Sequence, residues 1–347
     1  MTRWRRWRVF RRFRVNKQVN KQVNKLEGSM PRKGIPSGIP VMLACLLFLH
    51  QGAFGAEADA CKLVRMADPG WSDITATNAI AGILLDALGY EQKVDHLSVP
   101  ITFVGLKKGQ IDVFLGNWMP AQKPLMETQL KDGAIDVLHA NLVNAKFTLA
   151  VPSYVAAAGV KSFSDLARFA DKFDSKIYGI ETGAPANQNI KTMLAAKSFG
   201  LDNWKLVESS EQSMLSQVAR KVLAKEWIVF LAWEPHLMNT RFQLTYLDGG
   251  NAYFGPNYGG ATVNTLARKG YAAQCPNSGR LFSQLEFNVD LENKIISDVL
   301  TQKVDAKTAA ARQLKQHPEL LQAWLNGVKT RGGEDGLPAV KKMLGLN

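Results

Sequence analysis

The chain has few of the residues that most enzymes use for chemistry. Its 347 residues include five histidines and three cysteines, and the histidines are scattered singly along the sequence. There is no Gly-x-Ser-x-Gly nucleophile motif, no phosphate-binding glycine-rich loop of known spacing and no His/Cys metal cluster. We therefore expect no catalytic residue, no metal and no cofactor. An enzyme acting on a small cationic metabolite is the rival class, with His236 its only histidine near the site considered below.

A strong net charge is also missing once the N-terminal segment is set aside. Residues 1–60 contain 12 of the 43 Lys and Arg and 3 of the 30 Asp and Glu, which leaves 31 basic and 27 acidic residues. An excess of 4 positive charges is too small to gather a phosphate backbone. Nucleic acid is therefore not an expected partner. The alternative is that the Arg- and Trp-rich residues 1–29 form an arm that binds nucleic acid.

The N-terminal apolar run is too short to span a membrane. It covers residues 41–49, whereas a spanning helix needs roughly 20 apolar residues. Basic residues precede this run and small residues follow it, which is the pattern of a secretory signal peptide. We predict that residues 1–60 are a leader, with a mis-extended start at 1–29 and a cleaved signal peptide at 30–60. The mature protein is then expected in the periplasm.

One pair of cysteines is left after the leader. Cys45 lies in the middle of the apolar run, and a lipid-modified cysteine, the alternative for this residue, follows such a run instead. Cys61 and Cys275 remain, and an even pair in an oxidising compartment predicts a disulfide. This bond would tie the start of the mature chain to a segment more than 200 residues away.

The rest of the chain alternates short apolar runs with helical patterns. Strand-like runs lie at 63–66, 111–115, 147–151, 177–180, 228–231 and 244–247, and helical patterns at 79–88, 163–169, 189–196 and 214–223. This alternation predicts an α/β fold with mostly parallel, buried sheets, and the length predicts two lobes. From residue 281 onward the pattern is helical only. We expect this C-terminal segment to pack over the first lobe.

Three tryptophans follow predicted strands. Trp71 comes after an Asp-Pro-Gly turn, while Trp118 and Trp233 each end an apolar run shortly before a proline. Ligands of open α/β sheets bind beyond the carboxyl ends of the strands, and converging indole faces attract a permanent cation. A single tryptophan in such a place is more often an ordinary residue of the core or of a lobe interface, and it is the shared location of all three that favours a site. That structural interpretation is the one we give to Trp204, Trp227 and Trp324.

Four segments resemble the choline and glycine betaine family of periplasmic binding proteins. They are DPGWSDIT at 68–75, DVFLGNWMP at 112–120, VESSEQ at 207–212 and FGPNYGG at 254–260. The resemblance runs from about residue 61 to 345 and is strongest to the choline-binding members. It implies a two-lobed type II (Venus-flytrap) fold that closes on its ligand, and delivery of the ligand by a monomer to a membrane ABC permease. We place lobe I at 61–147 and 240–347, and lobe II at 148–239.

The resemblance also assigns roles to single residues. It implies that Trp71, Trp118 and Trp233 form an aromatic box around a trimethylammonium group and that Asp73 receives the ligand hydroxyl. The half-cystine positions of the family match Cys61 and Cys275.

Two positions depart from the family pattern. Phe147 stands where the choline-binding members have a tyrosine of the box, so the ring is kept without its hydroxyl. Those members also have an asparagine near Ala184, and we expect Asn187 to reach the same space from the next turn. Both departures concern the polar tail of the ligand.

Asp73 then decides between ligands. Betaine ends in a carboxylate that Asp73 would repel, whereas the choline hydroxyl donates a hydrogen bond to it, so choline is the predicted ligand. Carnitine has both a hydroxyl and a carboxylate, so its expected affinity lies between those of choline and betaine. The alternative is that Asp73 is only a helix N-cap, which weakens the preference for choline.

Overall fold

The computed structural model describes residues 57–347. The predicted leader lies outside these residues except for its last four, 57–60, and Cys45 lies outside them too. Within the described part, no helix combines the length and the apolar character that a membrane crossing requires.

The described residues form one mixed sheet of nine strands. The strand order is β2-β1-β3-β9-β4-β7-β5-β6, and β8 pairs with β4. The pairs of β1 with β2 and β3 are parallel, as are the pairs of β5 with β6 and β7, so each end of the sheet is parallel. The strands are β1 (Leu63–Asp68), β2 (Glu91–His96), β3 (Val113–Met119), β4 (Ile135–Pro152), β5 (Lys176–Tyr178), β6 (Lys205–Val207), β7 (Phe230–Glu234), β8 (Leu244–Tyr246) and β9 (Gly260–Arg268).

Helices follow most strands, and helices alone follow β9. In chain order they are α1 (Ser72–Leu88), α2 (Val99–Lys107), α3 (Lys123–Lys131), α4 (Ser153–Ala157), α5 (Pro185–Ala195), α6 (Glu211–Leu223), α7 (Met238–Arg241), α8 (Asn251–Phe254), α9 (Pro256–Gly259), α10 (Tyr271–Gln274), α11 (Pro276–Gln284), α12 (Val289–Gln302), α13 (Ala306–Gln316), α14 (Glu319–Trp324) and α15 (Gly336–Leu344). The α/β class is thereby confirmed.

One predicted α-helix is wrong. Residues 163–169 form two 3₁₀ turns, Phe163–Asp165 and Ala167–Phe173. The first turn begins with a capping box, in which the side chains of Ser162 and Asp165 bond each other's backbone N–H. The second departs from helical geometry at Phe169, where φ is −119° and ψ is 26°. The capping box starts the first turn, and the backbone at Phe169 prevents a continuous α-helix.

The two ends of the sheet are joined by β4 and β9. These antiparallel strands pair from Ile135 with Arg268 to Lys146 with Gly260, with three shifts of register between. The sequence pattern found only the part of β4 at 147–151 because the rest alternates exposed and buried residues. The expected lobe boundary at 147/148 falls inside β4.

The C-terminal helices pack on the first end of the sheet, as predicted. Helices α12, α13 and α15 all contact α1, and their buried residues include Ile295, Leu314 and Val340. The predicted disulfide between Cys61 and Cys275 is formed, with 5.6 Å between the Cα atoms. Both cysteines are buried, so the bond anchors the start of the domain to the segment before α11.

Candidate ligand-binding cavity

One apolar cavity contains five of the six residues that the sequence singled out for ligand binding. It holds about 410 Å³ of empty space, part of which is open to solvent. Its lining consists of Trp71, Asp73, Trp118, Ala121, Gln122, Phe147, Ile180, Pro185, Ala186, Leu231 and Trp233. All three tryptophans of the predicted box are therefore brought together.

Trp71 is positioned by a tight turn between β1 and α1. One carboxylate oxygen of Asp68 accepts hydrogen bonds from the backbone N–H groups of Gly70, at 2.7 Å, and Trp71, at 3.2 Å. The other oxygen accepts from the Thr75 hydroxyl at 2.9 Å, inside the first turn of α1. Gly70 has a φ of +94°, which only glycine adopts at little cost. The turn thus fixes Trp71 and the start of α1.

The other aromatic rings come from the sheet itself. Phe147 and Trp233 are direct partners in the antiparallel pair of β4 and β7. Trp118 lies near the end of β3, with its ring centroid 6.4 Å from that of Phe147 and an interplanar angle of 81°. Phe147 also packs edge-on against Phe254, at 5.7 Å. The pairing of β4 with β7 therefore places Phe147 beside Trp233, and Trp118 packs against Phe147 from β3.

Asp73 lies inside the first turn of α1, so its interpretation as an N-cap is wrong. The N-cap position belongs to Trp71. Asp73 Oδ2 accepts a hydrogen bond of 3.0 Å from the indole Nε1 of Trp118. The other oxygen, Oδ1, is buried and has no hydrogen-bond partner among residues 57–347. An unpaired buried acceptor is costly, and a donor on a ligand in the cavity would satisfy it.

The environment of Asp73 disfavours its charge in the absence of a ligand. Burial, and to a smaller extent the nearby Glu211, raise the pKa of Asp73 to about 8, although the Trp118 hydrogen bond acts in the opposite direction. Asp73 also raises the pKa of Glu292, which burial already places well above its ordinary value. A cation in the cavity would stabilise the Asp73 carboxylate.

The charges around the cavity are negative. Asp73 is its only ionisable lining residue among residues 57–347, and no Lys, Arg or His of that part lines it. Behind Trp71, Glu181 accepts the indole N–H with both carboxylate oxygens, at 3.0 and 3.1 Å. Burial raises the pKa of Glu181, and the Trp71 hydrogen bond opposes this shift. The site therefore suits a cation better than an anion.

Asn187 is not part of the cavity lining, which corrects its expected role. Its Oδ1 accepts from the backbone N–H of Ile180 at 3.0 Å. Its Nδ2 donates to the carbonyls of Ile180 and Glu181 and to the carboxylate of Glu208. These bonds use the amide fully, so Asn187 supports the loop that carries Ile180. Ala184, the N-cap of α5, does not line the cavity either.

Sequence reasoning missed Gln122 and the apolar part of the lining. Gln122 is buried, donates to the Gly116 carbonyl at 2.7 Å and accepts from Asn117 at 3.1 Å. It follows the Trp118 motif by one helical turn, a spacing that could have identified it. Trp204, Trp227 and Trp324 lie outside the cavity, which confirms their structural interpretation.

His236 stands behind the cavity wall. Its ring packs against that of Trp233 at 5.0 Å, and His236 itself is not a lining residue. Its Nδ1 accepts the backbone N–H of Met238 at 2.9 Å, so Nε2 carries the proton directed at Glu211. The one histidine near the site is therefore held away from a ligand.

Comparison with known proteins defines the class of this chain. The substrate binding domain of the ABC-type glycine betaine transport system matches residues 62–316. The chain belongs to this family of substrate-binding proteins, and it has their two-lobed fold. This is a transport family and not an enzyme family. Such proteins work outside the cytoplasmic membrane, in the periplasm or extracellularly, and deliver their ligand to a membrane permease.

Two solved structures are similar over most of the chain. An ABC-transporter choline binding protein in complex with choline is 48% identical, with a TM-score of 0.81, over 83% of this chain and 100% of the solved chain. An ABC-transporter choline binding protein in an unliganded semi-closed conformation is 49% identical, with a TM-score of 0.77 and the same coverage. The glycine betaine/carnitine transport binding protein GbuC of Listeria monocytogenes serotype 1/2a (strain 10403S) is 28% identical over 167 residues, 48% of this chain and 54% of the relative.

Proposed function

We propose that this chain is a periplasmic binding protein that captures choline and delivers it to an ABC permease. The observation that carries the proposal is the cavity itself, in which four aromatic rings and one unpaired carboxylate oxygen meet. The rings attract the trimethylammonium group, which has no N–H to donate. Asp73 Oδ1 accepts the choline hydroxyl. The roughly 48% identity to a protein solved with choline supports the same ligand.

Glycine betaine and carnitine are the second candidates, and one observation favours them. Since the pKa of Asp73 is raised to about 8, a protonated Asp73 at neutral pH could donate to a ligand carboxylate. The lining offers no cationic side chain for that carboxylate, which argues for choline. The family model is named for glycine betaine, and GbuC is named for glycine betaine and carnitine. Both ligands are therefore included in the binding experiment.

We further propose how the two lobes are arranged and what happens to the ligand. The lobes comprise 61–147 with 240–347 and 148–239, and closure brings Trp71 and Trp118 of one against Trp233 of the other. The protein works as a monomer after cleavage of a signal peptide within residues 30–60. It releases its ligand unchanged, because no histidine or metal cluster of the described residues faces the cavity.

Calorimetric titration of the mature protein with choline, glycine betaine, carnitine and acetylcholine tests the proposal. We expect choline to bind most tightly and acetylcholine, which lacks the donor for Asp73, to bind less well. Recovery of unchanged choline after long incubation separates a carrier from an enzyme. Tighter binding of glycine betaine than of choline at neutral pH would refute the assignment of the ligand.

A further inference from the structure

The first turn of α1 is held by carboxylates from the opposite end of the sheet. Helix α1 has no side-chain cap of its own. Glu211, the first residue of α6, accepts the backbone N–H of Ser72 at 3.0 Å with Oε2, and the Ser72 hydroxyl bonds its Oε1. The partners are 139 residues apart in sequence. A carboxylate at a helix N-terminus is stabilised by the unpaired N–H groups and the helix dipole.

Glu181 makes a second contact of the same kind. It follows β5 and accepts the Trp71 indole N–H with both oxygens, 110 residues away in sequence. Four strands, β3, β9, β4 and β7, separate β1 from β5 in the sheet. Neighbouring residues, Trp71 and Ser72, are therefore both bonded to carboxylates across the cleft. These bonds require the two ends of the sheet to be close together.

The Glu211 carboxylate is rigidly placed. Its side chain is fully buried, and His236 Nε2 lies 3.1 Å from its Oε1. The opposite ring nitrogen of His236 accepts the Met238 N–H, which fixes the orientation of the imidazole. The contact with His236 is independent of α1, so it orients the Glu211 carboxylate towards the N-terminus of α1.

We propose that Glu211 is the closing latch of the binding cleft, with Glu181 as its second contact. This inference rests on the proposed function, in which the lobes close over a ligand. Neither glutamate lines the cavity, so both are positioning residues. They act on the segment that carries Trp71 and Asp73, and so they couple the assembled site to the closed state. Opening breaks these bonds and exposes the α1 N-terminus, so the latch slows ligand release without changing ligand entry.

Stopped-flow kinetics of Glu211→Ala test the latch, with Glu211→Gln and Glu181→Gln as milder variants. Glu226→Ala is the matched control, because Glu226 lies beyond the other end of α6 and is exposed. We expect Glu211→Ala to raise the dissociation rate of choline roughly tenfold to a hundredfold, with the association rate within about threefold of wild type. Glu211→Gln keeps a hydrogen-bond acceptor, so it should raise the dissociation rate of choline by a smaller factor. Thermal stability without ligand should stay close to wild type.

A neutral probe separates latching from electrostatics. The probe 3,3-dimethylbutan-1-ol is the carbon isostere of choline, so closure over it needs the latch but gains nothing from negative charge. We expect Glu211→Ala to raise the dissociation rates of choline and of 3,3-dimethylbutan-1-ol by similar factors. An effect on choline alone, or an unchanged dissociation rate, overturns the latch. If the wild type binds neither probe, the proposed function fails. Small-angle scattering then decides the latch: a larger radius of gyration for ligand-free Glu211→Ala than for wild type supports it, and equal radii overturn it.

Discussion

The indole Nε1 of Trp118 donates a 3.0 Å hydrogen bond to Asp73 Oδ2 and leaves Asp73 Oδ1 without a partner in the described chain. The two residues thus contribute different chemical groups to the cavity. In the proposed function, the indole offers its face to a cation and the aspartate keeps one acceptor for a hydroxyl. The same bond orients both side chains, so a change at either residue affects both parts of the site.

Removal of one aromatic face should weaken binding of choline strongly. Trp118→Ala and Trp233→Ala each delete a cation–π face worth about 2 kcal/mol in a desolvated site, or roughly thirtyfold in Kd. Calorimetric titration measures the loss. Trp227→Ala is the control, because Trp227 is only partly buried and lies outside the cavity. Near-native affinity in both box variants would end the aromatic-box hypothesis.

The identity of residue 73 should set the preference between choline and glycine betaine. Asp73→Asn removes the carboxylate that a bound choline cation stabilises and supplies an N–H donor to a ligand carboxylate at every pH. We expect choline to bind more weakly and betaine more tightly, so the ratio of their Kd values narrows. Competition titrations on the variant measure this ratio directly. An unchanged ratio would mean that Asp73 does not contact the ligand tail.

Choline affinity should depend on pH through Asp73. Its pKa in the free protein is raised to about 8, and a bound cation favours the carboxylate. Binding therefore releases a proton below pH 8, and affinity should rise by up to about tenfold per pH unit towards pH 8 and then level off. Betaine affinity should change in the opposite direction. Titrations between pH 6 and pH 9 in wild type and Asp73→Asn give the test, and a flat profile in wild type contradicts it.

The stability of the ligand-free protein should also respond to Asp73. A carboxyl with a raised pKa binds its proton more tightly when folded, so stability is highest at low pH within this range and falls as pH rises towards about 8. Glu292 contributes with the same sign. Asp73→Asn should lose less thermal stability than wild type between pH 6 and pH 9. Equal losses in differential scanning fluorimetry would assign the effect to other groups.

Reduction of the disulfide should lower stability while leaving the cavity intact. Cys61 and Cys275 close a loop with a sequence separation of 214, and loss of such a bond typically costs about 2–5 kcal/mol. Neither cysteine lines the cavity. We expect Cys61→Ser/Cys275→Ser to unfold at a lower temperature and to bind choline with near-native Kd below that temperature. A large change in Kd would show that the disulfide shapes the cleft.

Most of the sheet and helices were predictable because their patterns are local. Runs such as 63–66 and 228–231 are apolar enough to predict buried strands, and the strands Leu63–Asp68 and Phe230–Glu234 are found there. The strand β9 was missed because it alternates half-buried and buried residues at the junction of the two ends. The helix predicted at 163–169 failed because the backbone leaves helical geometry at Phe169.

The chemical types of the site were readable from the residues alone: three tryptophans after strands, an aspartate near one of them and a cysteine pair. Such signals depend on residue identity and near neighbours, which the sequence contains. The folded chain was needed to show that Asn187 bonds the Ile180 backbone and that Asp73 accepts the Trp118 indole N–H. It also decided that Glu181 and Glu211 reach α1 from over 100 residues away. The reason is physical: hydrogen bonds and burial depend on distances that folding sets, and spacing along the chain does not encode them.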